Sequence, residues 1–326
     1  MNFADISLFQ NIIFALIGFL NPWPSLDNDT KAAFIEKSLN ASIQIMRSYN
    51  VETVYKELEI DTRRDLVSLK GLQFKYYMTT ENEMCSEDDM VTVAYENFED
   101  YFGCPINVSL DSLDFSGLLS IDKKKFKQKV VLNNLYIDTS FLDNSPETKA
   151  MKKLLDVTDN ITIYLEYDSE YFFNLNELSF NFIFDVEDFV NFDIKFSANR
   201  LHLPFSFDDA QENFRITIQK FSTTLTDKGL VEKINLISEI NNQPTLDQIF
   251  LDLIGMNKEQ LKSDNLTSPS HKIFKEIYAF FKEPGVISCA NLTPVSLQTD
   301  DFLNTLDYSS GDENYMTKLC SVVTVN

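Results

Sequence analysis

From Leu66 to Leu225 the chain keeps returning to a period of two. Leu72, Phe74 and Tyr76 share one parity with Gln73 and Lys75 between them, and Val91, Val93 and Tyr95 repeat the arrangement. Val108 to Gly117, Val130 to Ile137, Ile161 to Tyr167, Leu175 to Phe184, Phe189 to Phe196 and Phe214 to Leu225 continue it. Successive side chains of an extended strand point to opposite faces, so this alternation is that of half-buried antiparallel strands. The chain has the side chains for it: 28 Phe and 13 Tyr, residues that pack well on a pleated surface. The whole chain has only 8 Gly and 9 Pro, which excludes long flexible or low-complexity linkers.

Within this region a phrase recurs: Leu69-Lys-Gly-Leu72-Gln-Phe, Leu110-Asp-Ser-Leu113-Asp-Phe, Leu132-Asn-Asn-Leu135-Tyr-Ile and Leu175-Asn-Glu-Leu178-Ser-Phe. Leucines three apart cannot both face the core of a regular strand. A bulge or twist between them restores the common face by adding a residue to one side of the ladder. Repeated bulges bend a sheet, so the expected fold is α+β: a long curved antiparallel β-meander flanked by N-terminal and C-terminal helices.

The flanks change period. Phe34, Ile35, Leu39, Ile43 and Met46 recur at spacings of three and four behind Asp29 or Thr30 as a helix cap, and Val51 to Leu58 reads as a second short helix. A further helix follows the break Asp143-Asn-Ser-Pro146, with Met151, Leu154 and Leu155 on one side. After Asp227-Lys-Gly229 helical spacing returns in Leu230, Ile234 and Ile237. Thr245-Leu-Asp-Gln248 opens the next helix as a capping box, carrying Ile249, Leu253 and Ile254. A third runs from Ser270 to Lys282, through Ile273, Phe274, Ile277, Phe280 and Phe281, and Pro284-Gly285 ends it. Val286 to Leu297 and Leu319 to Val325 read as two closing strands. The expected organisation is a helical segment over 1–65 packed on a sheet-and-helix body over 66–326, the two forming one structural unit.

Charge narrows the partners. Fifty acidic residues against 28 basic give a net charge of −22 and no basic stripe. Nucleic acid, bound chiefly through Lys and Arg, is a poor match, and so is an anionic lipid surface. The four cysteines suggest two local disulfides, Cys85–Cys104 and Cys289–Cys320, although three pairings are open to sequence alone. Without a CxxC pair, redox catalysis and ordinary zinc ribbons find no support. The apolar run Ile12 to Leu20 has two readings, a degenerate secretion signal and a buried amphipathic helix, and is too short for a membrane span. No transmembrane span is expected in the mature chain. Six Asn-x-Ser/Thr triplets start at Asn28, Asn40, Asn107, Asn160, Asn265 and Asn291, a weak sign of a secretory context.

Catalytic patterns are missing. There are two histidines, with His202 reading as a strand-end side chain and His271 as a solvated residue near a helix start, and neither completes a relay with a nucleophile and a carboxylate. No Gly-rich phosphate loop, HExxH or EF-hand spacing occurs, so no cofactor or metal is expected. Asp300-Asp301 and Asp307 to Glu313 form an acidic loop that could hold Ca²⁺ weakly but reads as a solvated charged loop. Asp185, Glu187, Asp188 and Asp193 form a dense acidic group in which Asp185 and Glu187 fall on one strand face, a spacing a carboxylate hydrolase could use. Solubilising the outer face of a Phe-rich sheet explains the same residues. The most suggestive feature is the phenylalanine stripe Phe172, Phe173, Phe180, Phe182, Phe184, Phe189, Phe192 and Phe196, in which Phe180, Phe182 and Phe184 share one face. It is either ordinary core or the floor of an apolar groove able to hold an acyl chain.

The run Phe221-Ser-Thr-Thr-Leu-Thr-Asp-Lys-Gly-Leu-Val-Glu-Lys233, then Phe280-Phe-Lys-Glu-Pro-Gly-Val-Ile287 and Pro294-Val295, resembles the C-terminal half of uncharacterised alphaproteobacterial extracytoplasmic proteins. The β phrases before it resemble repeats of YdgA-like and AsmA-like envelope proteins. The resemblance spans Ile161 to Val325 and implies a periplasmic curved-sheet protein without an assigned reaction. Lack of a clear signal sequence departs from that pattern and keeps a cytoplasmic alternative open. The functional expectation is a non-catalytic extracytoplasmic binding or scaffold protein, its partner a lipid, another hydrophobic ligand or an envelope protein. A structural or assembly subunit is the alternative, and a carboxylate-based hydrolase the third reading.

Overall fold

The computed structural model describes residues 27–47, 51–79, 91–95, 98–117, 125–140, 149, 152–153, 156–157, 160–172, 174–199, 215–240, 242–262, 269–298 and 319–325. Ile12 to Leu20, the 143–146 break, Met151, Leu154, Leu155, Cys85, His202 and the acidic loop at 300–313 lie outside them. The fold is α+β and mostly sheet, with every described strand pair antiparallel. The chain divides into two compact units, 1–122 with 127–164, and 123–126 with 165–326.

In the first unit a helix, α1 (Asn28–Arg47), precedes six strands: β1 (Val51–Val54), β2 (Glu57–Asp61), β3 (Leu66–Thr79), β4 (Val91–Tyr95), β5 (Phe98–Ser116) and β6 (Lys125–Asp138). The cap of α1 is Asp27 rather than Asp29 or Thr30. Its carboxylate accepts the Thr30 backbone N–H at 2.9 Å and the Thr30 hydroxyl at 2.7 Å, and those bonds hold it below the ordinary carboxylate range. Leu39, Ile43 and Met46 are buried as their spacing requires, whereas Phe34 is 38 % exposed. Val51 to Leu58 is not helical: β1 and β2 both pair along one edge of β3. The alternation Val51 buried, Glu52 exposed, Thr53 buried, Val54 exposed is that of a strand, and short polar-apolar runs of this kind also fit a helix wheel.

The Leu-x-x-Leu phrase works here without adding a residue. Leu69 pairs with Leu113 and Leu72 with Leu110 in one continuous register between β3 and β5. Leu110 then pairs with Leu135, and Leu113 with Leu132, in one register between β5 and β6. All three strands therefore interrupt their alternation at the same level, where Gly71 (φ 59°) and Asn134 (φ 51°) take the left-handed conformation. The expected bulges are replaced by a shared kink. It puts Val67, Leu69, Leu72, Leu110, Leu113, Phe115, Val130 and Leu132 on one face, none more than 5 % exposed. On the opposite face a polar knot follows it: Asp114 accepts from Ser112 at 3.0 Å and from Asn133 Nδ2 at 3.0 Å.

The second unit takes in most of β7 (Asn160–Phe172), then β8 (Glu177–Val186), β9 (Val190–Asn199) and β10 (Arg215–Asp227). Four helices follow, α2 (Leu230–Ile240), α3 (Leu246–Leu253), α4 (Lys258–Lys262) and α5 (Pro269–Lys282), then β11 (Val286–Ala290), β12 (Val295–Gln298) and β13 (Val322–Val325). Among the described residues the tail thus holds three strands rather than two. Cys289 and Cys320 form a disulfide that ties β11 to the entry of β13, its strand neighbour. The fourth Leu-x-x-Leu phrase is a turn, not a strand kink: 174–176 connect β7 to β8, Asn176 has φ 49°, and Leu175 is exposed. A true bulge occurs instead at Gln219, where the β9–β10 register shifts by one residue. That extra residue lets Ile218 and Phe221, three apart, pair with Ala198 and Phe196 on a single face.

In α3 the capping box forms, with the Thr245 N–H donating to Gln248 Oε1 at 3.0 Å. The apolar positions behave otherwise than expected. Leu253 is 74 % exposed and Ile249 47 %, while Phe250 turns inward against Phe274 and Phe281 of α5. His271 is buried in the first turn of α5, not solvated, and Phe280 is almost fully enclosed.

Candidate functional site

Antiparallel register assembles the phenylalanines of β8 into cross-strand rows. Phe184 lies beside Phe192, then Leu225, Ile287 and Val325. The next row is Phe182, Ile194, Thr223, Cys289 and Val323, and the third is Phe180, Phe196 and Phe221. A fourth row, Leu178, Ala198, Ile218 and Val295, closes the face at its far end. The apolar face seen in sequence on β8 alone therefore extends across six strands, β8 to β13. Ile194 and Leu225 belong to it by register, which a single strand's alternation cannot reveal.

Burial is uneven along these rows. Ala198, Ile216, Ile218 and Val295 make a buried cluster, with Tyr171, Leu178, Phe196, Phe221 and Leu319 packed around it. Cys289 and Val323 are buried as well, where α5 lies against β11 and β13. Phe180, Phe182 and Phe184 stay only half-buried, as do Phe192 and Ile194. Phe180 stacks on Phe196 with centroids 5.0 Å apart and meets Tyr167 at 6.4 Å, offset contacts that favour a fixed aromatic floor. One polar atom interrupts the face: Thr223 Oγ1 is buried and has no hydrogen-bond partner among the described residues.

The acidic group expected near this stripe points the other way. Asp185 and Asp193 have the opposite strand parity to Phe182 and Phe184 and lie on the far face of β8 and β9. Asp185 pairs with Lys228 Nζ at 2.6 Å and accepts from Asn191 Nδ2 at 3.2 Å, and Asp193 pairs with Lys195 at 2.8 Å. Glu187 and Asp188 are exposed residues of the three-residue β8–β9 turn, with Asp188 at φ 62°. Asp185 and Glu187 consequently do not share a strand face. These carboxylates neutralise lysines and build a turn, which is structural work.

Two of the Asn-x-Ser/Thr asparagines also do structural work. Asn291 Oδ1 accepts the Phe221 N–H at 2.7 Å while its Nδ2 donates to the Thr293 carbonyl, and Asn107 Nδ2 donates to Asp138. Among the described residues no group of three or more His, Cys, Asp and Glu is placed to hold a metal ion, and no helix is long and apolar enough to cross a membrane. The chain matches no family model, and it matches no curated protein.

Proposed function

We propose that the protein is a non-catalytic binding protein of an extracytoplasmic compartment, and that the half-buried aromatic face of β8 and β9 holds a hydrophobic ligand. The observation that carries this reading is the partial exposure of Phe180, Phe182 and Phe184 beside a fully buried cluster on the same face. Water-exposed aromatic surface is costly at roughly 25 cal/mol per Å², so a ligand that covers it gains what folding left unused. The Cys289–Cys320 disulfide favours an oxidising compartment, since such bonds persist chiefly outside the cytosol. The resemblance to YdgA-like and AsmA-like envelope proteins points to the same compartment.

A second reading rests on a different surface. Leu236 and Ile240 of α2 and Ile249 and Leu253 of α3 are exposed large apolar side chains, each pair at a helical spacing of four. They favour an assembly subunit docking on a protein partner. Native mass spectrometry of the exported protein, before and after organic extraction, separates the two. A stoichiometric lipid mass that extraction removes supports the ligand reading. A bare chain that forms defined oligomers or complexes supports the second and overturns the first.

A further inference from the structure

The first unit carries a second surface unrelated to the aromatic one. On the face its kinked sheet turns away from the core, four strands and the start of β7 line a cleft of 480 Å³, within the range of small-molecule sites at roughly 300–1,000 Å³. Register builds it in two rows. Gln73 lies beside Ser109 and Ser109 beside Tyr136, with Val54 of β1 at the row's end. One step along, Lys75 sits between Glu52 and Asn107, and Asn107 Nδ2 donates to Asp138 Oδ2 at 3.3 Å. Phe74 and Val108, between these positions on β3 and β5, and Asn160, the first residue of β7, complete the lining.

The chemistry of the lining selects the ligand. The amides of Gln73, Asn107 and Asn160 and the hydroxyls of Ser109 and Tyr136 both donate and accept hydrogen bonds. The charged lining residues are Glu52, Asp138 and Lys75, which leaves a net negative charge. Burial pushes the Asp138 carboxyl up, but bonds from Ser140 and Asn107 and the charge of Lys152 outweigh it and hold Asp138 below the ordinary range. A phosphate or other anion would meet that carboxylate and a chain of net charge −22. A purely apolar ligand would strip water from the amides and give nothing back. A neutral ligand bearing many hydroxyls answers both objections, because each hydroxyl can donate to a carboxylate and accept from an amide.

Tyr136 adds an apolar ring at a fixed place. Its hydroxyl donates to Asp111 Oδ2 at 3.2 Å, and Asn134 Nδ2 donates to the same oxygen at 2.9 Å. Asp111 and Asn134 are the residues at the level where the three strands interrupt their alternation, so the kink that shapes the core also anchors the ring. A sugar ring offers a C–H face for an aromatic side chain and an edge of hydroxyls for amides. We propose that this cleft binds a neutral polyhydroxylated ligand, one or a few units of a glycan, across Gln73, Asn107, Ser109 and Tyr136.

The test is an NMR titration of the full chain with maltotriose, chitotriose and mannotriose, with inorganic phosphate and citrate as anionic probes. At least one trisaccharide is expected to shift the Gln73, Asn107, Ser109 and Tyr136 amide signals saturably. The variant Gln73→Ala/Asn107→Ala should weaken that binding at least tenfold; both side chains are exposed, so the fold should survive. Unchanged hydrogen exchange in β3 and β5 checks that it does. No response to any trisaccharide at millimolar concentration, a response to the anions alone, or full binding by the double variant would each overturn the proposal. The aromatic face belongs to the other unit, so this outcome is read independently of the ligand reading above.

Discussion

The two units use the same strand pattern and bury it differently. In the first, eight apolar residues around the kink are at most 5 % exposed. In the second, register aligns still larger side chains, yet Phe180, Phe182, Phe184, Phe192 and Ile194 remain half-buried while Ala198 and Ile218 on the same face are enclosed. Alternation therefore reports which way a side chain points, and the elements laid against that face decide whether it is covered. A face that is apolar, aligned and only partly covered is where a hydrophobic ligand has something to gain.

Three perturbations sharpen this contrast. The largest concerns the disulfide, which spans 31 residues and belongs to the second unit alone. Replacing Cys289 and Cys320 by Ser is expected to cost about 3–4 kcal/mol on the chain-entropy model. Hydrogen exchange should show protection lost in β11 and β13 and kept in β3 and β5. Equal loss in both units would break the distinction between them.

Next come matched truncations. Leu110→Ala removes a side chain 2 % exposed from the centre of the first unit's core and should cost about 3 kcal/mol. Phe182→Ala removes a larger but half-buried side chain and should cost about 1–2 kcal/mol. Denaturant unfolding of both variants measures the difference. A Phe182 variant as costly as the Leu110 one would mean that the aromatic face is ordinary core.

The smallest effect is a titration. Asp247 is buried and bonded to Lys282 Nζ at 2.5 Å. Burial pushes its carboxyl up, but the bonds from Lys282 and Thr245 and the charge of Lys282 prevail and hold it below 3.8. A carboxyl lowered on folding adds stability above its unfolded value and loses it as the pH falls through the folded one. The bond to Asp247 raises Lys282 above 10.5, and its share of stability is present below that value and lost as pH rises through the folded pKa. The Lys282 side chain is 46 % exposed, so solvent screening limits the pair to about 1 kcal/mol or less. Lys282→Met should therefore flatten the acid limb of the stability profile without moving the aromatic face.

Much of the fold was legible because alternation survives in long strands. The bounds of β8, β9 and β10 follow the apolar runs closely, as do α2 and α5, whereas β6 starts at Lys125, five residues before the run that begins at Val130. What was not legible arose from relations between strands. The spacing in Leu69-x-x-Leu72 and Leu110-x-x-Leu113 signalled a departure from a regular strand, but a bulge and a shared kink leave the same trace in sequence. Register alone separates them. The real bulge, at Gln219, is marked by Ile218-x-x-Phe221, the same spacing in other residues. Val51 to Leu58 failed because two four- and five-residue strands carry too few residues to define a period. Of the candidate site, Phe180, Phe182, Phe184, Phe192 and Phe196 were readable as one stripe, whereas Ile194 and Thr223, which join it only through register, were not. The polar cleft of the first unit was invisible for a related reason: its lining is the solvent-side half of several alternations, and no one strand shows that they converge.

The central claim concerns the half-buried aromatic floor, and a fluorescent fatty acid titrated into the intact protein tests it most directly. The account predicts saturable binding of one probe per chain, weakened at least tenfold by Phe182→Asp and unchanged by Leu253→Asp on the exposed helix surface, with the disulfide and secondary structure retained in both. Binding that ignores Phe182 and follows Leu253, or no binding at all, would contradict it.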